Sequence, residues 1–200
     1  MENKKIENKQ MKNRQTAHKI NSLSLRKLTY SALYLALAMV LPFLTGQIPN
    51  IGRMLSPLHI PALLCGFTVG WPWGLAVGFI APLLRHLIFK MPPMPGALFM
   101  AFEMAVYGAL SGLLYRLLPK KPWNIYVTLI VSMAAGRVAW GLARSAFALI
   151  NRESIPFDLI LNSTVLSGIP GIVLHIVLIP LLVLTAEKAG LMLNNKPNAK

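Results

Sequence analysis

Seven ionisable side chains stand inside otherwise apolar stretches of this sequence: His59, Arg85, His86, Glu103, Arg137, Arg144 and His175. A charge at the centre of a bilayer costs about 2.5–3.5 kcal/mol on insertion scales, so each one demands a reason. Arg137, Trp140 and Arg144 fall at i, i+3 and i+7, one face of a helix; Glu103 and Tyr107 fall at i and i+4, again one face. Together they offer guanidinium forks, one carboxylate and two aromatic platforms. That set suits a small, flat or zwitterionic solute held by bidentate and stacking contacts. The competing reading is a structural pair in which Glu103 merely neutralises Arg137 or Arg144. One carboxylate cannot neutralise both and Arg85 as well, which leaves positive charge for a ligand.

Other chemistries find little support. Ser111 and His175 could imitate a serine–histidine pair, but Ser111 falls inward of the membrane midplane, and a serine there bonds the preceding helical turn. No His-Glu-x-x-His motif and no phosphate-binding Gly-x-x-x-x-Gly-Lys-[Ser/Thr] loop is present. His175 has no Cys, Asp or Glu near it in sequence, so no metal and no cofactor is expected. The single cysteine, Cys65, lies in an apolar run and reads as a small buried hydrophobe. The chain is expected not to be an enzyme.

The elements that carry these residues are membrane spans. Of 200 residues, 55% are hydrophobic and 13% charged, against roughly a quarter charged in soluble domains. The net charge of +14 would suit nucleic acid, but eight of the 20 basic residues precede position 28 and most others sit between apolar runs. That is a positive-inside pattern, not a nucleic-acid groove. Apolar runs cover Leu28–Leu44, Gly96–Leu118, Asn124–Ile150 and Leu166–Ala186, and the first lacks a cleavage signature. Met54–Leu84 contains 31 residues without Asp, Glu, Lys or Arg, broken by Gly70-Trp71-Pro72-Trp73-Gly74. That turn signal splits the stretch into two helices. With six spans, 14 basic residues fall inside and four outside; with five, the counts are 11 and seven. Charge favours six.

The expectation is therefore an all-α integral membrane protein with six transmembrane helices and both termini cytoplasmic. It consists of a basic cytoplasmic tail, disordered or lying on the membrane (1–27), a six-helix domain (28–187) and a short cytoplasmic C-terminal tail (188–200). Arg137 and His175 fall near the midplane, Glu103 about one turn outward, and Arg144 two turns outward. His59, Arg85 and His86 fall at the outer ends of their spans. Inward of the midplane no Asp, Glu, Lys, Arg or His follows until Arg116. A polar outer half over a dry inner half describes an outward pocket with a closed floor, which by itself transports nothing. The loop Asn151–Ser163, with Asn162, is long enough to cap it. A self-sufficient secondary carrier is the alternative, though such carriers often show an inverted repeat, and none is evident between 28–90 and 96–186.

Six spans in about 200 residues, a basic N-terminus and Ala32-x-x-x-Ala36 resemble the substrate-binding S component of energy-coupling factor (ECF) vitamin transporters. So does the run from Met54 through His59 and Cys65 to Arg85. The resemblance covers about residues 28–190. It implies a high-affinity receptor for a vitamin-like micronutrient in the bacterial cytoplasmic membrane. It further implies docking through Ala32 and Ala36 onto a transmembrane coupling subunit driven by two cytoplasmic ATPases. The pocket would include Glu103, Tyr107, Arg137, Trp140, Arg144, Arg85 and Asn162. Its cargo stays open: excess arginine favours a carboxylate such as pantothenate or a folate, while Trp140 and Glu103 could instead hold a purine-like queuosine precursor.

Overall fold

Glycine and proline set most of the helix boundaries. In the computed structural model, which describes residues 2–44, 56–152 and 169–194, six helices follow one another: α1 Glu2–Leu44, α2 His59–Val69, α3 Trp71–Phe89, α4 Gly96–Leu117, α5 Pro122–Asn151 and α6 Ile169–Lys188. No strand occurs among the described residues. Gly70 separates α2 from α3 with φ 124°, a conformation that a Cβ disfavours, and Pro72 lies in the first turn of α3 where its missing N–H is no loss. Pro122 opens α5 in the same way. Four helices are long and apolar enough to cross a membrane: Trp71–Phe89, Gly96–Leu117, Pro122–Asn151 and Gly171–Lys188.

Two expectations need correction. Residues 2–27 are helical, continuous with the first apolar run, and α1 passes position 28 without a break. No Gly or Pro occurs between residues 2 and 41. Once the apolar part has formed a helix, each added Lys, Gln or Glu extends it at little cost. The second correction concerns α2, which has only 11 residues. At 1.5 Å per residue it is about 16 Å long, half the hydrocarbon thickness. His59, the first residue of α2, is buried in the interior of the bundle.

The close approach of α2, α3 and α4 rests on the small residues that recur at four-residue spacing. A methyl group on Gly74 would stand 2.7 Å from the Gly66 Cα, and one on Gly108 would stand 2.9 Å from the Gly74 Cα. One on Gly112 would stand 2.7 Å from the Gly66 carbonyl oxygen. Backbones pack directly on backbones here, as small-x-x-x-small motifs permit. Leu63, Phe67, Tyr107, Leu129, Ile179 and Val183 fill the core between α2, α4, α5 and α6.

After α6 the chain turns back under the bundle. The Leu193 N–H donates to the Thr68 carbonyl at 2.6 Å. Buried Asn194 uses Nδ2 to reach the carbonyls of Gly66 (3.3 Å) and Gly112 (2.9 Å). One amide thus clasps α2 to α4. Asn194→Ala is expected to lower stability by about 1–3 kcal/mol, the loss of two buried hydrogen bonds. Asn194→Asp should cost more, because a carboxylate would face two carbonyl acceptors. Thermal unfolding of the detergent-solubilised variants, followed by tryptophan fluorescence, checks both the size and the order.

Candidate functional site

The short α2 delivers His59 to the same depth as Glu103 and Tyr107 of α4, Arg137 of α5 and His175 of α6. Glu103 is 2% exposed and engaged on three sides. The Tyr107 hydroxyl donates to its Oε1 at 2.9 Å. Arg137 Nη1 stands 3.3 Å from the same oxygen, and His59 Nε2 stands 3.6 Å from Oε2. The His59 ring leans on the rings of Tyr107 and His175, with centroids 5.3 and 6.2 Å away. Its Nδ1 faces the Ser56 carbonyl at 3.2 Å. A buried carboxylate survives in such surroundings only when paired and hydrogen-bonded, and here four helices contribute to one cluster.

Several polar atoms at the cluster are buried without a hydrogen bond among the described residues: Nε of Arg137, Nε of Arg144 and both ring nitrogens of His175. Arg144 lies over the Trp140 ring, 5.7 Å from its centroid. Phe99 of α4 meets the edges of Trp140 and Phe147, at 6.2 and 5.5 Å. Beside Arg137 a cleft of about 290 Å³ runs between α5 and α6, lined otherwise by Ile130, Met133, Ala134, Ile172 and Ile176. Among the described residues no three His, Cys, Asp or Glu side chains converge as a metal site would require. The Ser111 hydroxyl bonds to the carbonyls of Gly108 and Leu63, at 3.2 and 3.3 Å.

Glu103, Tyr107 and Arg137 thus meet directly, and Trp140 and Arg144 follow along the same face of α5. Arg85 stands elsewhere. It is 4% exposed, donates through Nη1 to the Met39 carbonyl of α1 at 2.6 Å, and sits between the Phe43 and Phe89 rings, 5.2 and 5.1 Å from their centroids. It ties α1 to α3 and takes no part in the Glu103 cluster. Asn162 lies outside the described residues. Ala32 and Ala36 are exposed on α1. His59 is the first residue of α2, as a helix-end histidine would be, but it is buried against Glu103 instead of facing outward into water. The 31-residue uncharged run divides into one helix of crossing length and one of 11 residues.

Glycine again makes the arrangement possible. A methyl group on Gly136 would overlap the Tyr107 ring and stand 3.0 Å from the Glu103 carbonyl oxygen. Tyr107 is 1% exposed and has nowhere to retreat. Gly136→Ala is expected to push the tyrosine off Glu103 and cost about 1–3 kcal/mol, as overpacking does in well-filled cores. Solute affinity should fall with it. A fluorescence thermal melt and a binding titration on the same preparation test the coupling.

Comparison with known proteins fits this geometry. Residues 26–183 match the family described as ECF transporter, substrate-specific component. Neither the curated proteins nor the solved structures yield a match. The family match spans well over half of the chain, which belongs to that family.

Proposed function

We propose that this substrate-specific component captures a small micronutrient, vitamin or vitamin-like, from the outer side of the bacterial cytoplasmic membrane. In this reading the cluster of Glu103, Tyr107, Arg137 and His59 forms the floor of the binding site, with Trp140, Arg144 and loop residue Asn162 above it. All six helices belong to the membrane domain and both termini face the cytoplasm. Ala32 and Ala36 dock on a transmembrane coupling subunit, and two cytoplasmic ATPases supply the energy. The chain itself performs no catalysis. Arg85 anchors α1 to α3 at the edge of the site.

The observation that carries the reading is the depth of the charged cluster. A buried, mutually bonded set of ionisable groups sits halfway through the bundle, and the half beneath it is closed by direct glycine-on-backbone packing and by the Phe67, Leu129, Ile179 and Val183 side chains. A channel needs polar lining along its length; a receptor needs a polar site over a sealed floor. Native mass spectrometry of the protein gently purified from its own membranes tests this. A retained molecule of a few hundred daltons is expected. Solute uptake into liposomes by this chain alone, without ATPases, would overturn the proposal in favour of a self-sufficient carrier.

A further inference from the structure

Two cargo chemistries are compatible with the sequence, an organic anion or a purine-like base paired to Glu103. The geometry separates them. Glu103 is consumed within the protein: Tyr107 and Arg137 occupy one oxygen, His59 faces the other, and 2% of the residue is exposed. A base edge or an ammonium group would have to break that set to reach it. The cationic side, by contrast, is incomplete. Arg144 has no ion pair among the described residues, and the Nε atoms of Arg137 and Arg144 are buried without acceptors. Long helical side chains lean toward the helix N-terminus. Arg144 does so, resting on the Trp140 ring one turn below it, toward Arg137.

Charge sets the kind of anion. The two guanidinium groups exceed the one carboxylate by a single positive charge. A carboxylate balances it, whereas a phosphate monoester, carrying about −1.5 to −2 at neutral pH, exceeds it. Trp140, which carries Arg144 over its ring and meets Phe99 at 6.2 Å, offers an apolar face beside the two arginines. We propose that the captured solute is a small monocarboxylate with an apolar body. Arg144 and the Nε edge of Arg137 receive its carboxylate, while its body lies along Trp140. This rests on the receptor reading above and narrows it to one ligand class.

The test uses the full-length protein in detergent, freed of bound solute by dilution. A protein-free yeast extract is split at pH 7 on a strong anion exchanger, and each fraction is assayed for the shift it causes in the thermal midpoint. The expected result is a shift of several degrees from the retained, salt-eluted fraction. Alkaline phosphatase should leave that activity intact, and methyl esterification should abolish it. Arg144→Gln should keep its ligand-free midpoint yet need at least tenfold more of the fraction for the same shift; Arg144→Lys should recover part of the response. Activity in the flow-through, loss with phosphatase, survival of esterification, or an unaltered Arg144→Gln response would each overturn the carboxylate assignment while leaving a receptor in place. No stabilising fraction at all would instead overturn the receptor reading, and this inference with it.

Discussion

Arg137→Ala is expected to cost both solute binding and about 3 kcal/mol of stability, whereas Arg144→Ala should cost binding alone. The two arginines share a helix face but not a role. Removing Arg137 leaves the Glu103 carboxylate buried against a hydroxyl and an imidazole, its guanidinium partner at 3.3 Å gone. Breaking one side of a buried pair costs about 3–5 kcal/mol, and the 22% exposure of Arg137 puts this case at the lower end. Arg144 has no carboxylate to strand among the described residues. The converse experiment separates charge from packing. A double variant, Glu103→Leu with Arg137→Met, should recover most of the stability lost by Arg137→Ala, because well-packed apolar residues replace a buried pair at little cost. It should not recover binding. Thermal midpoints and solute titrations on all four proteins decide the matter. If Arg137→Ala melts like the parent, the Glu103–Arg137 contact has no structural weight and the cluster does not form as described.

The contrast between Arg137 and Arg85 marks what a sequence can tell about a membrane bundle. The order of residues along the apolar helices was legible, because about 20 apolar residues make one crossing. Glu103 and Arg137 were expected within a turn of each other, and they touch. The glycine pairs on α3 and α4 were legible as contact motifs, though not as mutual partners. Rotation about each helix axis was not legible where nearly every face is apolar. Arg85 lies toward α1, where the Met39 carbonyl and two phenylalanine rings take it up. No periodicity distinguishes that from a ligand-facing arginine. Helix length proved the most underused signal. A 31-residue uncharged run with a turn in it cannot contain two complete crossings, and the shorter one brings its N-terminal residue, His59, to the carboxylate. The C-terminal clasp of Asn194 carried no sequence signal at all: a lone asparagine after a helix reads as solvent-exposed until the fold brings it beneath two glycines.

A tryptophan at position 36 is expected to leave solute binding intact and to abolish energised uptake. The two faces of α1 make this a sharp test. Ser31, Tyr34 and Ala38 fall at i, i+3 and i+7 and turn inward: Ser31 Oγ lies 3.7 Å from Cys65 Sγ, the Tyr34 and Thr68 hydroxyls meet at 3.0 Å, and Ala38 is fully buried. Ala32 and Ala36 lie on the other side beside Leu33, Leu37 and Val40, all exposed. Two alanines a turn apart in an exposed leucine-rich face let another helix approach closely. An indole there blocks that approach without entering the bundle's own core. Ala38→Trp serves as the contrast, since it forces a large ring into a filled position and should lose fold, binding and uptake together. Uptake is measured in liposomes holding this chain with its coupling subunit and ATPases, and binding on the isolated protein. If Ala36→Trp still transports, α1 is not the docking face. The energising partner must then meet this protein through another lipid-facing surface, among which the outer sides of α5 and α6, with Val138, Leu142, Val177 and Leu181 exposed, are the next to mutate.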